Sequence, residues 1–346
     1  MRIRSCTIWL VLALLPACEH EARVHAFGGP AMGSTWEVKF VGDVPEARVR
    51  AAVEAELASF DQTFSNWRED SEIARCNRHR STEPFAASAR FLAVLQQALD
   101  VAAATEGAFD PTVKPLSDLY RKAQRDPQHR FDEGAAAAAR ERVGWQNVEV
   151  REGAVHKRRP DVELDLDGLV AGACVDAIGT QLDALGVPAF YLQVTGEVYC
   201  RGEKAPGVPW LIGVVDPASD GTGAEQAIRS LPLRDQALCT SGVTRNALLA
   251  NGRAMHHIFD PRTGSSACRG VVSVSVVADS AALADALGTA FLVLGDEATS
   301  RLLPSLRQLA TLHGLGQPGV LFLLAGEDGS LREVEFAWPI RSRRSE

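Results

Sequence analysis

The sequence has 346 residues, 46% of them hydrophobic and 23% charged, with a formal net charge of −8. That is chain enough for one large domain or two packed ones with a full core, and it excludes a mini-protein held by staples, a collagen and a coiled coil. The acidic balance and the lack of a long basic run exclude the electrostatic footprint of a nucleic-acid binder.

In chain order, residues 1–17 read as a secretion signal: Arg2 and Arg4 make a basic start, Ile8–Leu15 is apolar, and the small Ala17 precedes Cys18. The apolar stretch is too short to remain as a spanning helix, and no later segment offers about 18 uninterrupted apolar residues. Leu15-Pro16-Ala17-Cys18 resembles the bacterial lipobox, which makes Cys18 the lipidated first residue of an exported chain. An ordinary cleaved signal with an incidental Cys is the alternative. The expectation is a lipid-anchored protein on the periplasmic side of a bacterial membrane, inner or outer left open, with its bulk in water. Single-chain acylation anchors only marginally, so firm attachment needs the several chains of a bacterial lipoprotein. Beyond Cys18, the cysteines Cys76, Cys174, Cys200, Cys239 and Cys268 are odd in number and lack a C-x-x-C spacing, which points to neither a disulfide framework nor a zinc site.

Residues 18–29 read as a tether. Trp36, Val38 and Phe40 then alternate with polar neighbours at the period of a half-buried strand. After the Asp43-Val44-Pro45 turn, Val49, Val53, Leu57, Phe60 and Phe64 recur at three- and four-residue steps, the apolar stripe of a helix. A second helix runs from about Ala86 to Thr105 and stops at Gly107. Ala135–Ala139 is helical, Val162–Leu166 alternates as a strand, and Leu169–Leu185 is a helix closed by Gly186. Phe190–Val194, Trp210–Val215, Val272–Val276 and Val320–Leu324 are strand candidates, and Ala281–Leu294 is a helix between an N-cap at Ser280 and Gly295. With no repeat and no linker, the chain reads as one compact α+β domain over 30–340, with mixed or antiparallel sheets and packed helices.

Asp285 and Thr289 stand four residues apart on the last of these helices, so their oxygens share a face. A carboxylate and a hydroxyl, joined by a backbone carbonyl, suit a hard cation such as Mg²⁺ or Ca²⁺ better than zinc; a solvated Asp and a back-bonded Thr are the plain alternative. In His256-His257-Ile258-Phe259-Asp260-Pro261-Arg262-Thr263-Gly264 a His pair precedes a turn, and on a strand the two rings point to opposite faces, so one at most serves a given site. Thr240-Ser241-Gly242 and Thr195-Gly196-Glu197 offer hydroxyls and flexible backbone for a phosphate or ribose, or are simply turns. The Walker loop and G-x-S-x-G are absent.

In order, Met32-Gly33-Ser34-Thr35, Phe64-Ser65-Asn66-Trp67, Asp70-Ser71-Glu72-Ile73, Phe109-Asp110-Pro111-Thr112-Val113, Leu164-Asp165-Leu166-Asp167-Gly168 with Gly172 and Asp176, Gly196-Glu197, Thr240-Ser241-Gly242, His257-Ile258 with Asp260–Gly264, and Ala284-Asp285-Ala286-Leu287 with Thr289 resemble the ApbE family of FAD:protein FMN transferases over nearly the whole chain. The resemblance implies an α+β enzyme that uses Mg²⁺ and moves FMN from FAD onto a Ser or Thr hydroxyl of an exported acceptor protein, releasing AMP. It implies FAD contacts at Met32, Ser65, Trp67, Tyr120, Asp165, Ala171, Glu197, Thr240, Ser241, Gly242 and Ile258, a metal held by Asp285, Thr289 and the Gly168 carbonyl, and His257 as the base. Departures stand at Ala171, where the family carries Lys or Glu, at Thr195 in place of Gly, at Val243-Thr244, and at Tyr120-Arg121-Lys122-Ala123. Two further readings of the same site are an FAD pyrophosphatase, with water as nucleophile, and an FAD-binding lipoprotein without turnover.

Overall fold

The computed structural model describes residues 23–339 other than 218, 220–225, 244–246, 268–269, 313–315, 327 and 329; the signal segment and Cys18 lie outside the described residues. The largest sheet has eight strands: β1 (Val24–Ala31), β2 (Ser34–Val41), β3 (Ala189–Val194), β4 (Glu197–Arg201), β7 (Gln236–Gly242), β8 (Val271–Ala278), β9 (Gly319–Ala325) and β10 (Leu331–Phe336). They lie side by side in that order and every neighbouring pair is antiparallel. A two-stranded ribbon, β5 (Trp210–Val215) and β6 (Ala227–Leu233), is separate from it.

The helices are α1 (Glu46–Phe64), α2 (Glu72–Arg78), α3 (Ala89–Ala104), α4 (Lys114–Arg125), α5 (Glu133–Arg140), α6 (Asp167–Ala184), α7 (Ala281–Leu294) and α8 (Asp296–Leu312). Strand alternation decides what covers each face. Trp36, Val38, Phe40, Phe190, Leu192 and Val194 join α1, α3, α6 and α7 in the main core. Val198, Cys200, Leu238, Val277 and Leu321 point the other way and pack under Trp210, Ile212, Val214, Leu231 and Leu233 of the ribbon. None of the described helices is long and apolar enough to cross a membrane.

Helices α6 and α7 cross so closely that a Cβ on Gly172 would lie 2.3 Å from the Ala281 carbonyl oxygen. Asp176 ties the same crossing: its carboxylate accepts from the Ala281 and Ala282 N–H groups at 2.8 and 3.0 Å and from the Ser280 hydroxyl at 2.7 Å. An acid against the first turn of α7 satisfies orphan donors and complements the helix dipole. Ser280 itself caps Leu283 N–H at 3.2 Å, as its sequence position predicts.

Three expectations are corrected. Residues 24–29 are not tether but part of β1, paired with β2 along its length. Val162–Leu166 is buried except at Glu163 and joins no sheet: the Asn77 amide takes the place of a partner strand, donating to the Leu164 carbonyl at 2.9 Å and accepting from its N–H at 2.7 Å. The second helix starts at Ala89 rather than Ala86, because the Ser88 hydroxyl accepts from Phe91 N–H and so ends the extended segment there.

Candidate active site

Two tight hairpins define one end of the large sheet. Met32-Gly33 joins β1 to β2 with φ of 48° and 76°, and Thr195-Gly196 joins β3 to β4 with φ of 55° and 115°. Positive φ at both central residues is the signature of the turn that matches strand twist, and Asn rather than Met or Thr is the unstrained choice at its first position. The Thr195 N–H donates to the Thr35 carbonyl at 2.9 Å, which holds the hairpins side by side. The C-terminal residues of β7, Thr240–Gly242, complete the rim.

Beneath the rim lies a buried acid. The Asp285 carboxylate is 7% exposed and accepts from Gly172 N–H at 3.1 Å. Burial, with Asp167 and Asp176 as like charges, pushes it up to about 7 against that hydrogen bond. Glu197, from β4, is pushed well above the usual carboxylate range by burial and by Asp285, and its Oε2 is buried with no hydrogen-bond partner. One turn along α7, Thr289 Oγ1 lies 3.5 Å from Ser241 Oγ. Gly168 sits opposite, with non-helical φ −80° and ψ 15° that kink α6, and a Cβ there would come within 3.1 Å of Thr289 Oγ1 and 3.3 Å of the Phe109 ring. A side chain at residue 168 would press on Thr289 and Phe109, and glycine leaves that corner open.

A second polar cluster forms the wall. Arg121, on α4, donates to Asp165 at 3.2 Å and Asp167 at 2.8 Å, while the Asn66 amide reaches the same two carboxylates at 3.3 and 2.9 Å. The enclosing cleft and the Asp165 charge raise Asp167 to about 7 although Arg121 opposes them. The Arg121 and Arg125 guanidinium groups lie 5.7 and 5.4 Å from the ring of Trp67, which is 70% exposed at the mouth.

The His pair does not lie on a strand but in the bend between the short strands Arg253–Met255 and Phe259–Asp260, and only one of its rings lines the cleft. His256 is buried, and its Nδ1 accepts from Ile258 N–H at 3.3 Å. His257 lines the cleft, 6.4 Å from the Tyr120 ring, and the enclosing walls, His256 and Arg121 push it down to about 4. It is a neutral imidazole, able to accept a proton, across the physiological range. Just beyond, Asp260 holds Arg262 through both carboxylate oxygens at 2.8 Å, which fixes the turn that follows.

These groups share one cavity of about 1520 Å³. It brings together Trp67, Tyr120, Asp165, Gly168, Glu197, Thr240, Ser241, Gly242, His257, Ile258, Asp285 and Thr289. Met32, Ser65 and Ala171 lie outside its lining: Met32 packs on the main core, and Ser65 ends α1, where its hydroxyl accepts from Trp67 N–H. Arg121 and Asn66 carry no site role in the sequence reading because their partners are 44 to 101 residues away in sequence. Among the described residues no three His, Cys, Asp or Glu side chains group as a metal cluster.

An antiparallel sheet whose end carries a large cleft over the buried Asp285 defines an α+β fold with a candidate ligand site at the sheet end. The chain belongs to the ApbE family, whose model matches residues 32–312. It is 32% identical over 300 residues to the FAD:protein FMN transferase of Vibrio cholerae, covering 84% of this chain and 88% of that one. It is 32% identical over 277 residues to the FAD:protein FMN transferase of Klebsiella pneumoniae, covering 78% of each. Among solved structures, the flavin transferase ApbE from Vibrio cholerae superposes with a TM-score of 0.78 at 28% identity, over 91% of this chain and 98% of that one. The apo flavinyl transferase ApbE of Pseudomonas stutzeri gives 0.77 at 29% identity, over 91% and 95%.

Proposed function

We propose that this protein is an FAD:protein FMN transferase that, with Mg²⁺, moves FMN from FAD onto a Ser or Thr hydroxyl of an exported acceptor and releases AMP. The observation that carries the reading is the corner of Asp285, Thr289 and Gly168 on the floor of a cleft whose wall holds His257. The residues present fit a magnesium ion. Their donors are oxygens, Asp285 is a buried acid, Glu197 Oε2 is buried with no hydrogen-bond partner among the described residues, and a Cβ at residue 168 would fill the space beside Thr289. The Asp285 carboxylate, the Thr289 hydroxyl and the Gly168 carbonyl would hold it. Bound there, the ion supplies positive charge against the negative charge of the departing phosphate.

The chain's own residues do the rest. His257 takes the proton of the acceptor hydroxyl, which attacks the FMN-side phosphorus; the bond from that phosphorus to the bridging oxygen breaks, and the electron pair leaves with AMP. The hydroxyls of Thr240 and Ser241 and the backbone of Gly242 line the phosphate side of the cleft. Trp67, exposed at the mouth, offers flat apolar surface to a ring system, with Tyr120 buried in the wall behind His257. Export and lipid attachment through Cys18 belong to the same proposal, since acceptors of this kind meet the enzyme outside the cytoplasmic membrane.

Incubation of the purified protein with FAD, MgCl₂ and an exported Ser/Thr-bearing acceptor, read by intact mass and by free AMP, tests it. A gain of one FMN unit per acceptor with equal AMP is the expected result. Release of AMP with no acceptor gain would instead assign the site to FAD hydrolysis, and bound FAD with neither product would leave a binding protein.

A further inference from the structure

The cavity of about 1520 Å³ exceeds the roughly 300–1,000 Å³ of an ordinary small-molecule pocket, and its lining divides between two faces of the sheet. Glu197, Ser241, Asp285 and Thr289 belong to the side on which α6 and α7 pack. Lys39, Tyr191, Gln193, Val198, Leu238 and Thr240 alternate to the opposite face and form the floor of a groove. One wall of that groove is β5. Its residues Trp210, Leu211, Ile212 and Gly213 line the cavity consecutively, whereas one face of a strand would contribute every second residue. The backbone edge of β5 therefore faces the groove.

The register shows what that edge offers. Leu211 pairs with Pro232 and Gly213 with Ser230. Proline has no N–H, which places Leu211↔Pro232 at a non-hydrogen-bonded pair and turns the N–H and C=O of Leu211, and of Gly213 two residues on, away from β6. Among the described residues β5 has β6 as its one partner strand, so this outer row is unpaired. Leu211 is 70% exposed beside it and Val208 48%.

We propose that the groove is the docking site for the acceptor polypeptide, which lies extended along β5, pairs with Leu211 and Gly213, and delivers its hydroxyl past Thr240 toward His257. The proposal rests on the transferase reading, which requires a polypeptide as second substrate. Two observations favour that occupant: the groove is continuous with the catalytic corner, and its wall is a strand edge left unpaired among the described residues. Strand addition supplies affinity from main-chain bonds, which tolerates different acceptor sequences.

Two measurements test it, with the acceptor protein of the Vibrio cholerae relative as probe. In the wild type, amide hydrogen exchange at Leu211 and Gly213 slows when acceptor is added. In L211P, which removes the outward N–H without touching the β6 pairing, KM for acceptor rises roughly fivefold to tenfold, the loss of about one net hydrogen bond, while FAD affinity stays at the wild-type value. L211A, which keeps the N–H, shows a smaller rise. Unchanged exchange at both amides in the wild type overturns the proposal whether or not L211P folds, as does an unchanged acceptor KM in folded L211P. Slowed exchange without any FMN transfer would retain the docking site and remove the transferase reading instead.

Discussion

Gly172→Ala isolates the contact between α6 and α7 that positions the proposed metal corner of Asp285, Thr289 and Gly168. The new Cβ would stand 2.3 Å from the Ala281 carbonyl oxygen, 2.5 Å from its carbon and 2.7 Å from Ala282 N, all backbone atoms. A carbon–oxygen contact settles near 3.3–3.6 Å, so α7 has to retreat by about 1 Å at this crossing. Overpacking that cannot be relieved by a side-chain rotation sits at the upper end of its range, about 3 kcal/mol, and lowers Tm by about 5–10 °C in a domain of this size. The same retreat lengthens the 3.1 Å Gly172 N–H to Asp285 bond and carries Asp285 and Thr289 away from Gly168. A misplacement of about 1 Å at reacting groups costs on the order of a hundredfold in rate. Thermal melts followed by near-UV circular dichroism, with transfer rates measured on the folded fraction, check both effects. Gly134→Ala in α5 is the matched control: its Cβ meets only Asp132 Oδ1 at 3.4 Å, and it gains helix propensity. A Gly172→Ala protein that melts within 2 °C of the wild type, taken as ~0.5–1 kcal/mol, and turns over normally would refute the reasoning.

Three other outcomes are expected. Asp285 sits at about 7 in the fold against ~4 in an unfolded chain, so the native state holds the proton more tightly and its stabilisation is lost as pH rises from about 4 through 7. Asp285→Asn should therefore melt higher than the wild type at pH 8 in chelator, by on the order of 1 kcal/mol, equal it near pH 4, and lose the rise in Tm that MgCl₂ gives the wild type; a scan with and without MgCl₂ reads all three. His257→Gln should lower kcat by roughly 10²–10⁴ with FAD affinity kept, and because His257 titrates at about 4, the wild-type rate profile should show no ascending limb near pH 6.5 from this group. Met32→Asn places the preferred residue at φ 48° and should raise stability by about 0.5–1 kcal/mol in urea melts, with weaker FAD binding if the methionine touches the flavin nucleotide.

What could be read from the chain depended on sequence distance. Asp285 and Thr289 were legible because a helix phases residues four apart, and Ser280 and Gly295 marked its ends to the residue. Val162–Leu166 showed its burial but not its partner, since a single amide 87 residues away replaces a strand. The cap that Asp176 places on α7 and the guanidinium bridge from Arg121 to Asp165 and Asp167 join segments by tertiary packing alone, with no local periodicity to announce them. Thr195 stands where the resemblance expects Gly, which its positive φ explains, whereas nothing in the sequence marks Met32 as a positive-φ position. Trp210–Val215 was recognisable as a strand, yet nothing in its apolar pattern distinguishes a sheet member from a separate ribbon with a free edge.

The most direct measurement is calorimetric titration of FAD into wild type and Asp285→Ala, each with MgCl₂ and with chelator. The account predicts that magnesium tightens FAD binding at least tenfold in the wild type, about 1.4 kcal/mol, and leaves the Asp285→Ala affinity unchanged. An equal magnesium effect in both proteins, or none in the wild type, would contradict it.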